Sequence, residues 1–281
     1  MTTLPQPPTP RRFRHLTLIS GSLLVLLVLL PALVLWVQHI GHGFAINLHD
    51  RLKPPSLTHW LGTDPLGRDT LALVLVAAFN SLAISITAMA LALLVGTALG
   101  LVAAEAGGKT GILTDGLSDL GIAFPPVITA ALLVTLYGAG VGEEILALAL
   151  FFIPSFIRLS QQSASAILSQ DYCAAARLAA LNTLHIHWRH VLPNMVPVLV
   201  VQFSVSVALA LLAETGLSYL GLGAPPPLPE LGRLLASYQV HIFDHLLLVA
   251  VPGLVVVMLV LGVNMLGDGL RDLFDIQEKS A

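Results

Sequence analysis

Charged side chains are scarce in this 281-residue sequence: aspartate, glutamate, lysine and arginine make up 10% of it, whereas 56% is hydrophobic. A soluble domain carries about 25% charged residues, which cover its surface. So low a charge content excludes an ordinary soluble enzyme, a nucleic-acid-binding protein and a disordered protein. The expected class is therefore a helical membrane protein.

Motifs for covalent or catalytic chemistry are also missing. Cys173 is the only cysteine, which excludes a disulfide framework within the chain. The phosphate-binding pattern G-x-x-x-x-G-K-[ST] does not occur, so we do not expect the chain to hydrolyse ATP alone. His185 and His187 stand two residues apart and point to different helix faces, which disfavours a metal site there.

Long apolar stretches dominate what the sequence does contain. A membrane-spanning helix needs about 20 mostly apolar residues, because the hydrocarbon layer is about 30 Å thick. The first stretch is interpreted as a retained anchor rather than a cleaved signal peptide, since the run is long and no A-x-A-like site follows it. We predict six spans, near residues 16–37, 82–103, 113–137, 145–159, 196–217 and 245–266.

The second apolar region, residues 71–104, is too long for one perpendicular span. We expect it to begin as an interfacial helix through about Phe79, with Asn80 and Ser81 marking the change to the span proper. Prolines inside four of the six spans predict kinks, because proline removes a backbone hydrogen bond.

Basic residues predict the orientation of the chain. With six spans both termini lie on one side, which then holds nine of the thirteen lysines and arginines. Because cytoplasmic loops carry an excess of basic residues, we predict that both termini are cytoplasmic. The predicted organisation is a cytoplasmic tail (1–15), a first transmembrane helix (16–37), an outer segment with the start of an interfacial helix (38–76), a five-helix core (77–270) and a cytoplasmic tail (271–281).

The predicted cytoplasmic segment, residues 161–194, is the most informative stretch. Residues 161–181 lack proline and glycine and are rich in alanine, which predicts a helix. We expect a turn at residues 182–183 and a second short helix over 184–192, ended by Pro193. Small side chains at the corner let another protein approach closely, with Tyr172 and Arg177 as directional contacts. The alternative is a hairpin packed only on its own chain.

Residues 171–178 and 189–194 of this segment resemble the cytoplasmic EAA loop of binding-protein-dependent ABC importer permeases. The chain as a whole resembles the C-type subunit of the peptide/nickel group of these permeases. The resemblance implies an all-α membrane protein with the type I ABC importer permease fold, six transmembrane helices and a coupling helix between spans four and five. Further segments match in family order: residues 59–69, 124–126, 214–223 and 266–272.

The resemblance also implies a role and partners. The chain would form half of the translocation pathway of an ATP-driven importer for peptides or for nickel or metal chelates, in a bacterial inner membrane. It would have no catalytic activity and no cofactor, and ATP would be bound by two cytoplasmic ATPase subunits. A homologous second permease subunit and an extracytoplasmic solute-binding protein would complete the system. The implied ATPase-docking residues are Asp171, Tyr172, Cys173, Ala174, Ala175, Ala176, Arg177, Leu178, Ala179, Ala180 and Leu181.

Four further residues are candidates for an outer vestibule or a receptor contact. Asp64, Arg68 and Asp69 lie in a predicted outer turn, and a merely structural turn is the alternative. Glu214 lies near the outer end of the fifth span, where a charge is usually functional or paired. We favour a structural role for Glu214, in contact with Ser218 or a partner subunit.

The sequence departs from the family pattern at two docking positions. Ala174 stands where the family has glutamate, and Ala180 where it has glycine. A left-handed conformation at Ala180 would be strained. For two other classes of membrane protein, the sequence lacks the motifs that they would need. An intramembrane enzyme would need an H-E-x-x-H motif or paired aspartates at span depth, and a channel would show rings of one charge; neither pattern occurs.

Overall fold

The structure is a computed structural model that describes residues 14–39, 44–106, 116 and 125–278. Within these ranges the chain is helical and has no strand, and an isolated antiparallel bridge joins Thr63 and Asp69. The α-helices of these ranges are α1 (Arg14–His39), α2 (Thr70–Ala106), α3 (Pro126–Tyr137), α4 (Val141–Leu168), α5 (Asp171–Leu178), α6 (Thr183–Ile186), α7 (Leu192–Tyr219), α8 (Leu231–Tyr238) and α9 (Leu246–Glu278).

Four helical stretches are long and apolar enough to cross a membrane, and they correspond to the predicted first, second, fifth and sixth spans. They are Leu16–Gln38, Thr70–Ala106, Thr183–Tyr219 and Leu246–Phe274. The predicted fourth span lies within α4, which is not among the four. Most of the first half of the predicted third span lies outside the described residues, and its second half is α3, which begins at the proline pair.

Helix α2 runs unbroken past the point where a change was expected. Asn80 and Ser81 are buried in mid-helix and bond to distant parts of the chain. The indole of Trp36 donates to Asn80 (3.0 Å), the Asn80 amide donates to the carbonyl of Pro229 (2.8 Å), and the Ser81 hydroxyl donates to Glu214 (2.8 Å). The polar pair therefore marks contacts between helices and not an end of the interfacial helix.

Helices α2 and α4 pack so closely that two glycines of α2 have no room for a side chain. A Cβ on Gly96 would lie 2.5 Å from Cβ of Phe156, and one on Gly100 would lie 2.6 Å from the carbonyl oxygen of Ile157. Glycines four residues apart let helix backbones approach in this way in membranes. The main core lies between α2, α4, α7, α8 and α9, while α1 packs along α9.

The predicted cytoplasmic segment, residues 161–194, differs from its prediction in two respects. α4 continues to Leu168 and a break at residues 169–170 separates it from α5, so residues 161–181 are not one helix. Pro193 does not end a helix, because residues 183–219 form one helical run. A wide π turn, His187–Val191, immediately precedes α7, and Pro193, which has no N–H to donate, is the second residue of α7, directly after this irregular turn.

Candidate functional site

Helix α5 is the predicted docking helix, and one side of it faces the protein. We call residues 169–191 the inner segment. Cys173 and Ala176, three residues apart on one helix face, are buried in a small second core with Ile186 and Met195. Burial raises the pKa of the Cys173 thiol. These two residues of the predicted docking set therefore anchor the helix to its own chain.

The remaining predicted docking residues are exposed, and several large apolar side chains lie among them. Leu178 is 89% exposed, and Tyr172 packs beside the π turn, with its ring 5.9 Å from that of His190. We call the exposed apolar set of the inner segment the docking face: Tyr172, Leu178, Leu181, Leu184 and Trp188. The exposed small and polar residues around it are Asp171, Ala174, Ala175, Arg177, Ala179 and Ala180.

Arg177, expected to contact a partner, has a partner within the chain. Its guanidinium lies 3.3 Å from the carboxylate of Glu105, at the end of α2. His187 Nε2 is 3.4 Å from the same carboxylate, without hydrogen-bond alignment. Such half-exposed pairs contribute at most about 1 kcal/mol. The pair thus orients α5 against α2 but leaves the arginine accessible.

Ala180, at the end of α5, has the left-handed conformation that strains an alanine. Its φ is +56°, in the left-handed region that glycine adopts without cost. The Leu181 amide donates to the carbonyl of Ala176 (3.2 Å), and the Ala180 amide donates to that of Arg177 (3.0 Å). This is the Schellman arrangement that closes a helix. The side chain of Asn182 then accepts from the Leu184 amide and starts α6.

The predicted outer turn is organised by Asp64, whose side chain is fully buried. We call residues 44–69 the outer loop. Asp64 Oδ1 accepts from the backbone amides of Leu66 and Arg68, both at 2.8 Å, and the Arg68 guanidinium donates to Oδ2. The amide of Gly67 donates to the Asp64 carbonyl (2.9 Å). Because both carboxylate oxygens of Asp64 accept hydrogen bonds from the loop itself, the structure favours the structural alternative for this residue.

Asp69 connects the outer loop to α2. Its Oδ1 accepts from the amide of Ala72 (2.8 Å), which caps the N-terminus of the helix. Its Oδ2 lies 2.8 Å from Nδ1 of His59. The structure therefore joins the three predicted residues Asp64, Arg68 and Asp69 in one loop, where they fix its shape.

Glu214 is fully buried, and its contacts differ from the predicted ones. It accepts hydrogen bonds from the hydroxyls of Ser81 (2.8 Å) and Thr215 (3.3 Å). Of the two predicted partners, a partner subunit stays a prediction, and the Ser218 hydroxyl donates to Glu230 and not to Glu214. Sequence reasoning missed Glu230 and also Glu144, although a carboxylate inside an apolar stretch is itself a signal.

Comparisons with characterised proteins agree with this architecture. The chain is 36% identical to the glutathione transport system permease protein GsiD of Pectobacterium atrosepticum, over 96% of this chain and 90% of that one. It is 35% identical to the di/tripeptide transport system permease protein DppC of Pseudomonas aeruginosa, over 94% and 89%. It is 32% identical to the probable D,D-dipeptide transport system permease protein DdpC of Escherichia coli, over 92% and 87%.

A solved structure shares the fold. A chain of the MetNI methionine ABC transporter in an inward-facing conformation superposes with a TM-score of 0.60 at 17% identity. The superposition covers 70% of this chain and 93% of that one. The described helices thus share their all-helical fold with a chain of that transporter.

The family model for the binding-protein-dependent transport system inner membrane component matches residues 96–277, well over half of the chain. The match includes α3, α4, the inner segment and every helix that follows. The prediction of a membrane transport component rather than an enzyme is confirmed by this match and by the named relatives. The chain belongs to the family of binding-protein-dependent transport system inner membrane components.

Proposed function

We propose that this chain is one of two permease subunits of an ATP-driven importer of short peptides in a bacterial inner membrane. Family membership supports the transport role, and the peptide and glutathione systems named for the relatives above support the cargo. Nickel and metal chelates, the other predicted cargoes, have no such support from those relatives. A second permease, two ATPase subunits and a solute-binding protein complete the proposed assembly.

Six spans with both termini in the cytoplasm remain our proposed topology. α4 has 28 residues, about 42 Å at 1.5 Å per residue, which exceeds the hydrocarbon thickness. It packs along α2, with closest approach at Gly96 and Gly100. A bilayer crossing by α2 would therefore place α4 across the bilayer as well. α3 would form the second half of the third span.

The docking face carries the proposed coupling to an ATPase. Cys173 and Ala176 hold one side of α5 on the chain's own core, while Leu178 on the other side is almost fully exposed. A group of exposed apolar side chains on a segment that lies outside the six predicted spans is typical of a protein contact. We propose that an ATPase subunit covers Tyr172, Leu178 and their neighbours on this face, so that its movement on ATP hydrolysis is passed to α7.

Substitution within the docking face tests the coupling in the assembled transporter. Leu178→Asp and Ala175→Glu place a charge where the partner should pack, and each should lower peptide uptake and copurification of the ATPase at least about tenfold. Membrane insertion should not change. Leu57→Asp is the matched control, because Leu57 is an equally exposed leucine in the outer loop. Full copurification and uptake with Leu178→Asp would contradict the proposal.

Accessibility tests the topology independently. An Ala175→Cys variant in a Cys173→Ser background places the only thiol on exposed surface of α5. A membrane-impermeant maleimide should label it in inverted vesicles and leave it unlabelled in intact spheroplasts. The reverse result would invert the proposed orientation.

Competition tests the proposed cargo. Unlabelled tripeptides should reduce the uptake of a labelled dipeptide, whereas Ni²⁺ should not.

A further inference from the structure

Three buried glutamates from separate parts of the chain meet inside the protein. Glu144 lies in the first turn of α4, Glu214 lies near the end of α7, and Glu230 immediately precedes α8. One carboxylate oxygen from each lies within 4.8 Å of the other two. The fold alone brings them together, since 70 residues separate the first from the second in sequence.

Glu144 differs from its two neighbours in having no hydrogen-bond donor. Its side chain is 1% exposed, and neither carboxylate oxygen accepts a well-formed hydrogen bond from the part of the chain that the structure describes. Glu214, by contrast, accepts from Ser81 and Thr215. A buried carboxylate without a donor costs several kcal/mol unless a positive charge or a proton compensates it. One of the unpaired oxygens of Glu144 thus lies within 4.8 Å of an oxygen of each of the other two carboxylates.

Glu230 is held rigidly in place. Its Oε1 accepts from the backbone amide of Ala224 (3.0 Å), and its Oε2 accepts from the hydroxyl of Ser218. The guanidinium of Arg233 lies 4.0 Å from Oε2 and donates to the carbonyl of Ala224. One arginine at the edge of the cluster leaves the three carboxylates with an excess of negative charge.

We infer that Glu144, Glu214 and Glu230 together bind one hard divalent cation of the calcium class. Calcium takes oxygen ligands at about 2.3–2.6 Å, so two oxygens on opposite sides of the ion lie about 4.6–5.2 Å apart. The three oxygens all lie within 4.8 Å of one another, so they are close enough to contact one ion of that size. All three residues offer carboxylate oxygen, which favours Ca²⁺, Mg²⁺ or Mn²⁺ over Ni²⁺ and Zn²⁺.

The ion would join the start of α4 and the end of α7 to the segment that leads into α8. This segment already bonds to α2, since the Leu231 amide donates to Ser81 (3.2 Å). A cation at the cluster would therefore fix one end of the helical core. Cation binding by these three glutamates requires neither a particular cargo nor a contact at the docking face.

Direct calcium binding tests this inference with the full chain in detergent micelles. After metal removal with EDTA and dialysis, equilibrium dialysis with radioactive Ca²⁺ should show about one saturable ion per chain. Ca²⁺ should also raise the unfolding temperature. Glu144→Gln should weaken calcium binding at least about tenfold. Glu143→Gln is the matched control, because Glu143 is its neighbour on α4, partly exposed and outside the cluster.

Several results would overturn the inference. Wild-type protein without saturable calcium binding would do so with no need for a variant, even if Glu144→Gln fails to fold. Equal binding by Glu144→Gln and Glu143→Gln would place the ion elsewhere. Stabilisation of the stripped protein by acid and not by Ca²⁺ would show that protons compensate the carboxylates. Displacement of Ca²⁺ by Ni²⁺ at lower concentration than by Mn²⁺ would overturn the assignment of a hard cation.

Discussion

The outer loop (44–69) and the inner segment (169–191) are similar in length but differ in what their side chains contact. In the outer loop, Asp64 and Asp69 use their carboxylates on amides and side chains of the loop itself and on the start of α2. In the inner segment, most of the surface of the Leu178 and Trp188 side chains contacts no other part of the chain that the structure describes. Hydrogen bonds within the outer loop fix its conformation. Exposed apolar side chains, by contrast, gain free energy when another molecule covers them.

Removing Asp64 should have the largest effect on the outer loop. Asp64→Ala leaves two backbone amides and the Arg68 guanidinium without their acceptor, so we expect the free energy of unfolding to fall by about 3 kcal/mol. Thermal unfolding of the purified chain measures this. Asp50→Ala is the control, since Asp50 pairs with Lys53 at an exposed site, where the lysine keeps the pKa of Asp50 below its usual range. Equal losses in both variants would remove the special status of Asp64.

The thiol of Cys173 should report the buried side of the inner segment. Burial raises its pKa and blocks access, so maleimide labelling of the native protein should be at least about tenfold slower than after unfolding. Since it is the only cysteine, no other residue contributes to the signal. Leu178→Cys in a Cys173→Ser background should label rapidly. Fast native labelling of Cys173 would mean that α5 does not stay on the second core.

Glycine at position 180 should stabilise the inner segment by a moderate amount. A left-handed conformation destabilises an alanine by about 1–2 kcal/mol, and glycine removes this strain. Glycine also increases the conformational entropy of the unfolded chain, which offsets about 0.4–1 kcal/mol of the gain. We therefore expect Ala180→Gly to raise the free energy of unfolding by about 0.5–1 kcal/mol. Ala179→Gly is the control, because Ala179 has a φ of −76° and should be destabilised. Stabilisation by both substitutions would show that the strain at Ala180 is not the cause.

Polar substitution on the docking face should have the smallest effect on folding. Leu178→Ser removes a side chain that is 89% exposed, so the free energy of unfolding of the isolated chain should change by less than about 0.5 kcal/mol. The same variant should weaken ATPase association in the assembled transporter. A clear loss of stability in the isolated chain would mean that Leu178 packs on its own protein.

Sequence patterns predicted the parts of the fold that depend on local composition. The apolar runs located the spans in α1, α2 and α9, because hydropathy and length are local properties. Patterns failed where a residue's partner is remote: Asn80 bonds to Pro229 and Ser81 to Glu214, across more than 130 residues. The carboxylate cluster was missed for the same reason.

The inner segment shows the same limit on a shorter scale. Its alanines predicted helix, but the break at Ser169 was not predicted, since no glycine or proline marks it. The strain at Ala180 could be foreseen only because the resemblance places a glycine there. Which of its residues face inward could not be read from composition, because Cys173 is buried in a cluster with residues of α2, α4 and α7.

The helical run from Thr183 to Tyr219 has a mechanical consequence. Its 37 residues measure about 55 Å, so a single rod connects Trp188 in the docking face with the level of Glu214. A displacement of one end of a rigid helix moves the other end as well, unless residues between the two ends change conformation. The one π turn in this helical run is His187–Val191. A π turn can convert to a regular α turn, which has fewer residues, and this change rotates the part of the helix that follows. The rotation transmitted to the end of the helix near Glu214 would therefore depend on the conformation of this π turn.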